Sequence, residues 1–99
     1  MAQFDVHANP NGPGLLLDCQ SDLLSDLETR LVIPLLPPEV APKPCGRLNP
    51  AFDIRGERFV MVTQYGAALE LRELGLKLAS LADRHIEIVG ALDVLITGV

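Results

Sequence analysis

The side chains that could act as acids, bases, nucleophiles or metal ligands are few in this sequence, and they are scattered. Only two histidines are present. His7 falls in a predicted strand and His85 in the first turn of a predicted helix, so each is interpreted as a surface or structural residue. The sequence spacing of Glu70, Glu73 and Asp83 does not identify a catalytic or metal-binding partner for any of them, and they are interpreted as part of a solvated face. Since no GxGxxG, Walker-type GxxxxGK or HExxH motif occurs, the sequence predicts no catalytic residue, no metal site, no cofactor and no enzymatic activity.

The two cysteines, Cys19 and Cys45, lie far apart and belong to no CxxC pair. Each is interpreted as a reduced, buried or half-buried thiol. The stretch from Met1 to Asp5 lacks the basic and apolar segments of a secretory signal. No run approaches the roughly 20 apolar residues that a membrane span requires. We therefore expect a cytoplasmic protein with no disulfide and no membrane attachment.

The charge balance argues against nucleic acid as a direct partner. Eight Lys and Arg residues stand against 13 Asp and Glu residues, for a net charge of −5, whereas phosphate binding needs clustered cations. Arg55-Gly-Glu-Arg58 places two arginines around a turn; it is interpreted as an ordinary hairpin tip, with an anion site as the alternative. An acidic protein would instead be drawn to a basic surface on another protein.

Alternating and β-branched stretches predict five or six short strands joined by hairpins. The turn sequence Asn9–Gly14 joins the first two strands, and Arg55-Gly56 forms a second tight turn. Pro34 places the end of the third strand at a sheet edge or a bulge. The proline-rich stretch Pro37–Pro44 is predicted to be an extended surface loop. The strand candidates are Gln3–His7, Leu15–Gln20, Thr29–Leu36, Phe52–Ile54, Glu57–Thr63 and Ala67–Leu74.

A helical period replaces this alternation from about Ala82. Ser80 and Asp83 are both capable N-caps, and Gly98 is a suitable C-terminal stop. One apolar stripe is expected to seal a barrel, while an opposite strip of small or polar residues could lie against a partner. The apolar stripe consists of Ile88, Val89, Leu92, Leu95 and Ile96, and the opposite strip of Gly90, Asp93 and Thr97.

These elements predict a single domain over residues 1–99. Its fold class is mostly β with one C-terminal α-helix, built as a small antiparallel barrel on which the helix packs. A chain of 99 residues buries only about two-thirds of the surface that its unfolded form exposes. Pairing with a second copy would hide more apolar surface, and symmetric dimers are the commonest way to do so.

One pair of segments is more specific than the rest of the sequence. Asp18-Cys-Gln-Ser-Asp-Leu-Leu24 followed by Thr29-Arg-Leu-Val-Ile-Pro-Leu35 closely resembles the signature of the CcdB toxins of bacterial toxin–antitoxin modules. Residues 3–6 and 96–99 also fit the first strand and the closing tail of that family. The resemblance implies an SH3-like antiparallel barrel of the CcdB/MazF type, with a small β wing and a C-terminal helix, present as a homodimer.

The resemblance also implies an activity and a set of contact residues. CcdB toxins bind the A subunit of DNA gyrase and poison the enzyme, and a cognate CcdA-like antitoxin neutralises them through a disordered tail that folds on binding. The two apolar residues that touch gyrase correspond to Leu23 and Leu24, and Asp93 stands where the best-known members have Asn. The family tail Trp-Gly-Ile becomes Thr97, Gly98 and Val99 here.

The tail is the departure that matters most. A stacked tryptophan is typical of hot spots worth at least ~2 kcal/mol, about thirtyfold in affinity, and a threonine cannot stack. One alternative is therefore a non-toxic or retargeted relative that binds an antitoxin or another topoisomerase. A second alternative is a MazF-like endoribonuclease, although the acidic-aromatic opening expected of such an enzyme is missing.

Overall fold

The computed structural model describes residues 2–98, and Met1 and Val99 lie outside the described residues. Within this range the chain forms seven β-strands and one α-helix, with single 3-10 turns between several of them. The strands are β1 (Asp5–Ala8), β2 (Leu15–Asp18), β3 (Thr29–Leu36), β4 (Ala51–Ile54), β5 (Glu57–Met61), β6 (Ala67–Glu70) and β7 (Lys77–Ser80), and the helix is α1 (His85–Thr97). The 3-10 turns are Asp22–Leu24, Gly46–Leu48, Thr63–Tyr65, Leu71–Glu73 and Ala82–Arg84.

All strand pairs are antiparallel, and they form one curled sheet in the order β4-β5-β3-β2-β1-β7. The long strand β3 is central: β2 pairs with one side of it, while β6 and then β5 pair with the other. The sheet is a half-barrel, and Arg55 Nε links its two edges by donating to the Leu78 carbonyl oxygen at 3.1 Å. The predicted class, mostly β and antiparallel with one C-terminal helix, is confirmed.

Pro34 was predicted to lie at a sheet edge or a bulge, and the edge is wrong because Pro34 lies in the central strand. It pairs with Leu16 of β2, and its carbonyl oxygen accepts from the Val62 N–H. Proline is tolerated there because β3 changes partner at this point. The β6 pairing ends at Val32 and the β5 pairing begins at Leu35, which leaves a gap in the ladder where no N–H is needed from position 34.

The concave face of the sheet holds the hydrophobic core. Side chains alternate along a strand, so Leu17 of β2 and Ile33 and Leu35 of β3 face inward, where Ile88 and Ala91 of α1 cover them. The complete core cluster is Phe4, Val6, Leu17, Cys19, Ile33, Leu35, Phe52, Ile54, Phe59, Met61, Leu81, Ile88 and Ala91. The opposite face of β1–β3 is buried as well, and it carries Asp5, His7, Leu16, Asp18, Arg30 and Val32.

The two hairpins that the sequence predicted are present. Asn9–Gly14 joins β1 to β2, and Arg55-Gly56 joins β4 to β5 with positive φ at both residues, as a type I′ turn requires. The structure supports the hairpin-tip interpretation of the two arginines. Arg55 bonds to β7, and Arg58 pairs with Asp53 at 3.1 Å on the exposed face of the hairpin.

The region after Tyr65 differs from prediction. The single strand expected over Ala67–Leu74 ends at Glu70, because a 3-10 turn at Leu71–Glu73 follows, with Glu73 accepting from the Glu70 N–H at 2.7 Å. Glu73 is thus half-buried and bonded instead of belonging to a plain solvated face. The strand β7, Lys77–Ser80, was missed altogether.

The helical segment begins at Ala82, as predicted, but its first turn is not α-helical. A 3-10 turn occupies Ala82–Arg84, and α1 begins at His85 with no side-chain cap. Asp83 therefore lies inside the turn, and Ser80 Oγ accepts from the Ala82 N–H at 3.2 Å, which caps the turn rather than the helix. The predicted stop is confirmed: Gly98 adopts φ +80° and donates to the Val94 carbonyl oxygen.

Among residues 2–98 no helix is long and apolar enough to cross a membrane. The same part of the chain contains no group of three or more His, Cys, Asp or Glu side chains placed to hold a metal ion. Both histidine rings approach backbone carbonyl oxygens: buried His7 lies 3.1 Å from that of Gly75, and exposed His85 lies 3.1 Å from that of Ala82.

Candidate functional site

Leu23 and Leu24 lie on a short exposed turn between β2 and β3, at Asp22–Leu24, which we call the tip turn. Leu23 is 94% exposed and Leu24 51% exposed, and no residue of the tip turn is buried. Two leucines placed in solvent on adjacent positions are costly to leave there and are typical of a contact surface. The structure therefore places both predicted residues where a partner could reach them.

Hydrogen bonds hold the tip turn in the absence of buried side chains. Ser21 begins it, because its Oγ accepts from the Leu23 N–H at 3.2 Å. Asp22 Oδ1 accepts from the Gln3 N–H at 2.8 Å, which ties the turn to the N-terminal segment. Gln20 bonds on both sides of its amide: Nε2 donates to the Leu24 carbonyl oxygen at 2.9 Å, and Oε1 accepts from the Leu31 N–H at 3.1 Å.

A buried ion pair lies beneath this turn. Arg30 Nη2 is 2.7 Å from Asp18 Oδ2, and the two side chains are only 2% and 0% exposed. The atoms are close without hydrogen-bond alignment, and Arg30 Nε has no acceptor among the described residues. Asp18 Oδ1 also accepts from the Gln20 N–H at 3.1 Å. Sequence reasoning missed this pair, because Arg30 looked like one of several scattered cations.

The two thiols differ in environment. Cys19 is buried, and desolvation together with the neighbouring Asp18 charge raises its pKa to about 12. Cys45 is exposed, so its predicted burial is wrong. It directly precedes the 3-10 turn at Gly46–Leu48, after the proline-rich loop, and its N–H donates to Asn49 Oδ1 while its side chain remains in solvent.

The second candidate surface is the C-terminal turn of α1, Asp93–Gly98, which we call the helix end. Asp93, Thr97 and Gly98 are exposed, as predicted for a contact surface. Thr97 Oγ1 donates to the Asp93 carbonyl oxygen at 2.7 Å, one turn back along the helix. Val99, the last predicted contact residue, lies outside the described residues.

The apolar stripe of α1 does not face the core as predicted. Ile88 is buried and Leu92 packs against the core, but Val89 is 43% exposed, Leu95 46% and Ile96 79%. Ala91 takes the second fully buried position, so the buried stripe is rotated relative to the expected one. Ile96 therefore belongs to the helix end as an exposed apolar residue, and the sequence analysis missed it there.

The first turn of α1 is fixed to the sheet. The Arg84 guanidinium lies 5.0 Å from the centroid of the Phe52 ring and makes two hydrogen bonds, of 2.6 and 2.9 Å, to the Glu87 carboxylate. These bonds hold the pKa of Glu87 below its usual value and raise that of Arg84. Beside this turn lies an apolar groove of about 530 Å³, lined by Gly46, Arg47, Pro50, Ile86, Glu87 and Gly90.

The two predicted contact regions are held by different parts of the fold. The helix α1 packs against the turns at Gly46–Leu48 and Thr63–Tyr65. The tip turn is bonded to Gln3, Gln20 and, through Gln20, to β3. The chain thus presents two exposed apolar features with acidic neighbours, since Asp22, Asp26 and Glu28 flank the leucines and Asp93 lies on the helix end.

The comparison with known families agrees with the signature residues. A comparison with curated protein sequences finds no match. The family model described as CcdB protein matches residues 3–98, a range that includes both the Asp18–Leu24 segment and α1. Since this match spans nearly the whole chain, the protein belongs to the CcdB family.

Proposed function

We propose that this protein is the toxin of a toxin–antitoxin module, that it binds the A subunit of DNA gyrase and poisons the topoisomerase, and that a CcdA-like antitoxin neutralises it. It acts by binding and not as an enzyme. The proposal places the target contact on the tip turn (Leu23 and Leu24) and on the helix end with the terminal residue (Asp93, Thr97, Gly98 and Val99). Membership of the CcdB family supports this class of function.

The single observation that carries the proposal is the state of Leu23. Its side chain is 94% exposed, yet the backbone around it is held by side-chain hydrogen bonds from Ser21 and Gln20. A side chain that stabilises nothing within its own protomer, on a turn that is nevertheless ordered, fits a residue kept for a partner. Leu24 adds a second apolar side chain beside it.

The charge of the chain supports a basic target surface. The net charge is −5, and Asp22, Asp26 and Glu28 surround the leucines without any neighbouring Lys or Arg between Cys19 and Thr29. Such an arrangement favours an apolar pocket with a cationic rim and accelerates association with it. It disfavours direct binding to the DNA that gyrase holds.

A homodimer is part of the same proposal. Ile86 is 77% exposed and Val89 43% exposed on α1, and apolar side chains left in solvent on one helix face are typical of an interaction surface. A second copy is the commonest cover for such a surface. Sedimentation of the purified protein should give twice the chain mass of 10.7 kDa, and a species of single-chain mass at micromolar concentration would contradict the dimer.

The function is tested by expressing the protein in bacteria without any antitoxin. We expect growth arrest and gyrase trapped on cleaved DNA, and co-expression of the antitoxin should restore growth. A double variant with Leu23→Ser and Leu24→Ser should lose both effects, whereas Leu76→Ser, a leucine equally in solvent but outside both contact regions, should stay toxic. Normal growth of cells containing the folded wild-type protein, with no gyrase bound to it, would refute the poison.

A second candidate function rests on the tail. The chain contains no tryptophan, and the side chain at position 97 is a threonine whose hydroxyl bonds to its own helix. A relative without the stacked anchor could bind an antitoxin, or another topoisomerase, without poisoning gyrase. The same expression experiment separates the two functions, because this candidate predicts antitoxin binding with unimpaired growth.

A further inference from the structure

The side chain of Gln20 joins two pieces of backbone that the sheet does not join. In an antiparallel pair of strands, every second pair of facing residues exchanges two N–H to carbonyl bonds, and Cys19 and Leu31 face each other at such a position. Cys19 donates to the Leu31 carbonyl oxygen at 2.9 Å, but the return bond is missing, because the Leu31 N–H donates to Gln20 Oε1 at 3.1 Å. The freed Cys19 carbonyl oxygen accepts from Gln3 Nε2 instead. The Gln20 side chain therefore replaces the last backbone hydrogen bond between β2 and β3.

The other half of the same amide reaches the tip turn. Gln20 Nε2 donates to the Leu24 carbonyl oxygen at 2.9 Å, immediately after the exposed leucine pair. Apart from bonds between neighbours in sequence, the tip turn has one further hydrogen bond among residues 2–98, which the Gln3 N–H donates to Asp22 Oδ1. Because no residue of the tip turn is buried, packing cannot hold its conformation, and these hydrogen bonds must.

Gln20 is itself anchored to the interior. Its N–H donates to Asp18 Oδ1, and the other oxygen of that carboxylate lies 2.7 Å from Arg30 Nη2 in an ion pair that is almost wholly buried. The Gln20 amide thus links a buried ion pair to an exposed turn. The ion pair, the bond from Gln20 N–H to Asp18 and the bond from Gln20 Nε2 to Leu24 thus connect the tip turn to the buried side chains of β2 and β3.

We propose that Gln20 is a positioning residue, which preorganises Leu23 and Leu24 for their partner without touching that partner itself. The proposal rests on the proposed function for the identity of the partner. Ordering a loop and its side chains on binding weakens association, so a turn that is already ordered binds more tightly. Loss of the Gln20 amide should therefore weaken binding to the gyrase A subunit about tenfold.

The test uses the full chain and two readouts. Gln20→Met keeps the length of the side chain and removes both bonds, while Gln20→Glu keeps the acceptor for the Leu31 N–H and removes the donor to Leu24. We expect both variants to fold and to lower the NMR order parameters of the Leu23 and Leu24 amides from about 0.85 to below about 0.6. Gln64→Met, which removes an amide whose one hydrogen bond among residues 2–98 is to Asn49, is the matched control and should change neither value.

Binding of the gyrase A subunit is then measured for Gln20→Met in two backgrounds. In the wild-type background we expect the tenfold loss, and in a background with Leu23→Ser and Leu24→Ser we expect no further loss, because there is nothing left to position. An equal loss in both backgrounds, or unchanged order parameters, would overturn the proposal. A wild-type protein that does not bind gyrase would refute the proposed function instead, and the order parameters would still decide the role of Gln20.

Discussion

The carboxylate of Asp18 is surrounded by groups that need its charge. Arg30 is 2% exposed, its Nη2 lies 2.7 Å from this carboxylate, and the buried Arg30 Nε has no acceptor among residues 2–98. Removing one member of a buried pair leaves the other uncompensated, which costs about 3–5 kcal/mol. We therefore expect Asp18→Asn to lower the free energy of unfolding by about that amount, measured by urea denaturation.

The exposed pair on the β4–β5 hairpin provides the control for this prediction. Arg58 and Asp53 lie 3.1 Å apart, but their side chains are 59% and 71% exposed. Water and salt screen such a pair, so Asp53→Asn should leave the unfolding midpoint within experimental error. If both aspartate variants behaved alike, burial would not be what makes the Asp18–Arg30 pair important.

The thiols give a second prediction at the scale of single residues. Burial and the charge of Asp18 raise the pKa of Cys19 from 9.0 to about 12, so at pH 8 only about one molecule in ten thousand has this thiol ionised. A thiol-specific reagent should modify one cysteine, Cys45, in the native protein and both in urea. Rapid modification of native Cys45→Ser would contradict this assignment.

The raised pKa of Cys19 also makes the stability of the protein depend on pH. The folded state holds the Cys19 proton up to a pH near 12, whereas the unfolded thiol releases it near 9.0. The unfolded state therefore binds fewer protons between these values, and the contribution of this group falls as the pH rises from 9 to 12. Below pH 9 both states keep the proton, and the thiol makes no pH-dependent contribution.

Turn residues in the sequence were enough to predict the two hairpins. The glycines and prolines between β1 and β2, and Arg55-Gly56 between β4 and β5, specify turns by their own φ preferences, and both hairpins are confirmed. The strand β7 was missed because Lys77–Ser80 is short and weakly patterned. It becomes a strand through pairing with β1, which lies at the other end of the chain.

The orientation of α1 could not be read from its sequence for a related reason. Apolar residues surround much of the helix, so several stripes fit a helical period, and packing into the core cluster selects the one through Ile88 and Ala91. The candidate site was predictable only through the family signature. Its geometry was not, because the role of Gln20 depends on Leu31 and Leu24 being brought to either side of one amide.

Gly90 provides a test of how α1 is covered. It lies in the interior of the helix, and a Cβ added there would meet nothing within 4 Å. Alanine is a better helix former than glycine, so Gly90→Ala should raise the free energy of unfolding by about 0.5–1 kcal/mol. Thermal or urea unfolding would measure the change.

Gly14 is the matched control for that substitution. Its φ is +77°, and a Cβ would collide with the Leu35 carbonyl oxygen of the neighbouring strand β3. Gly14→Ala should therefore destabilise the protein by more than ~1 kcal/mol. A loss of stability from Gly90→Ala as well would indicate that the open side of α1 is occupied in solution, as it would be in a dimer.

At the scale of the whole molecule, the residues that hold the fold together are different from those proposed to contact the target. The core and the buried Asp18–Arg30 pair maintain the half-barrel, while the tip turn and the helix end add exposed side chains that its packing does not need. Such surfaces can change without loss of the fold. A departure from the family at position 97 is therefore compatible with an intact structure, and under the proposed function it would affect target binding.

That separation makes the tail testable by a gain of function. Thr97 is exposed at the helix end, so a larger side chain fits there without disturbing the core. If an aromatic anchor is what the family tail supplies, Thr97→Trp should strengthen binding to the gyrase A subunit about thirtyfold, by at least ~2 kcal/mol. Titration of purified proteins would give the affinities, and expression without antitoxin would show whether growth inhibition rises in parallel.

An added tryptophan can also increase non-specific binding, so a second variant with tryptophan at another exposed position is needed as a control. Asn11→Trp places the same side chain on the exposed β1–β2 turn, at the opposite end of β2 from the tip turn. Tighter binding by Thr97→Trp alone would locate the gain at the helix end. Equal gains in both variants would reflect adhesion, and unchanged affinity of Thr97→Trp would mean that the helix end does not meet gyrase in the way the family tail implies.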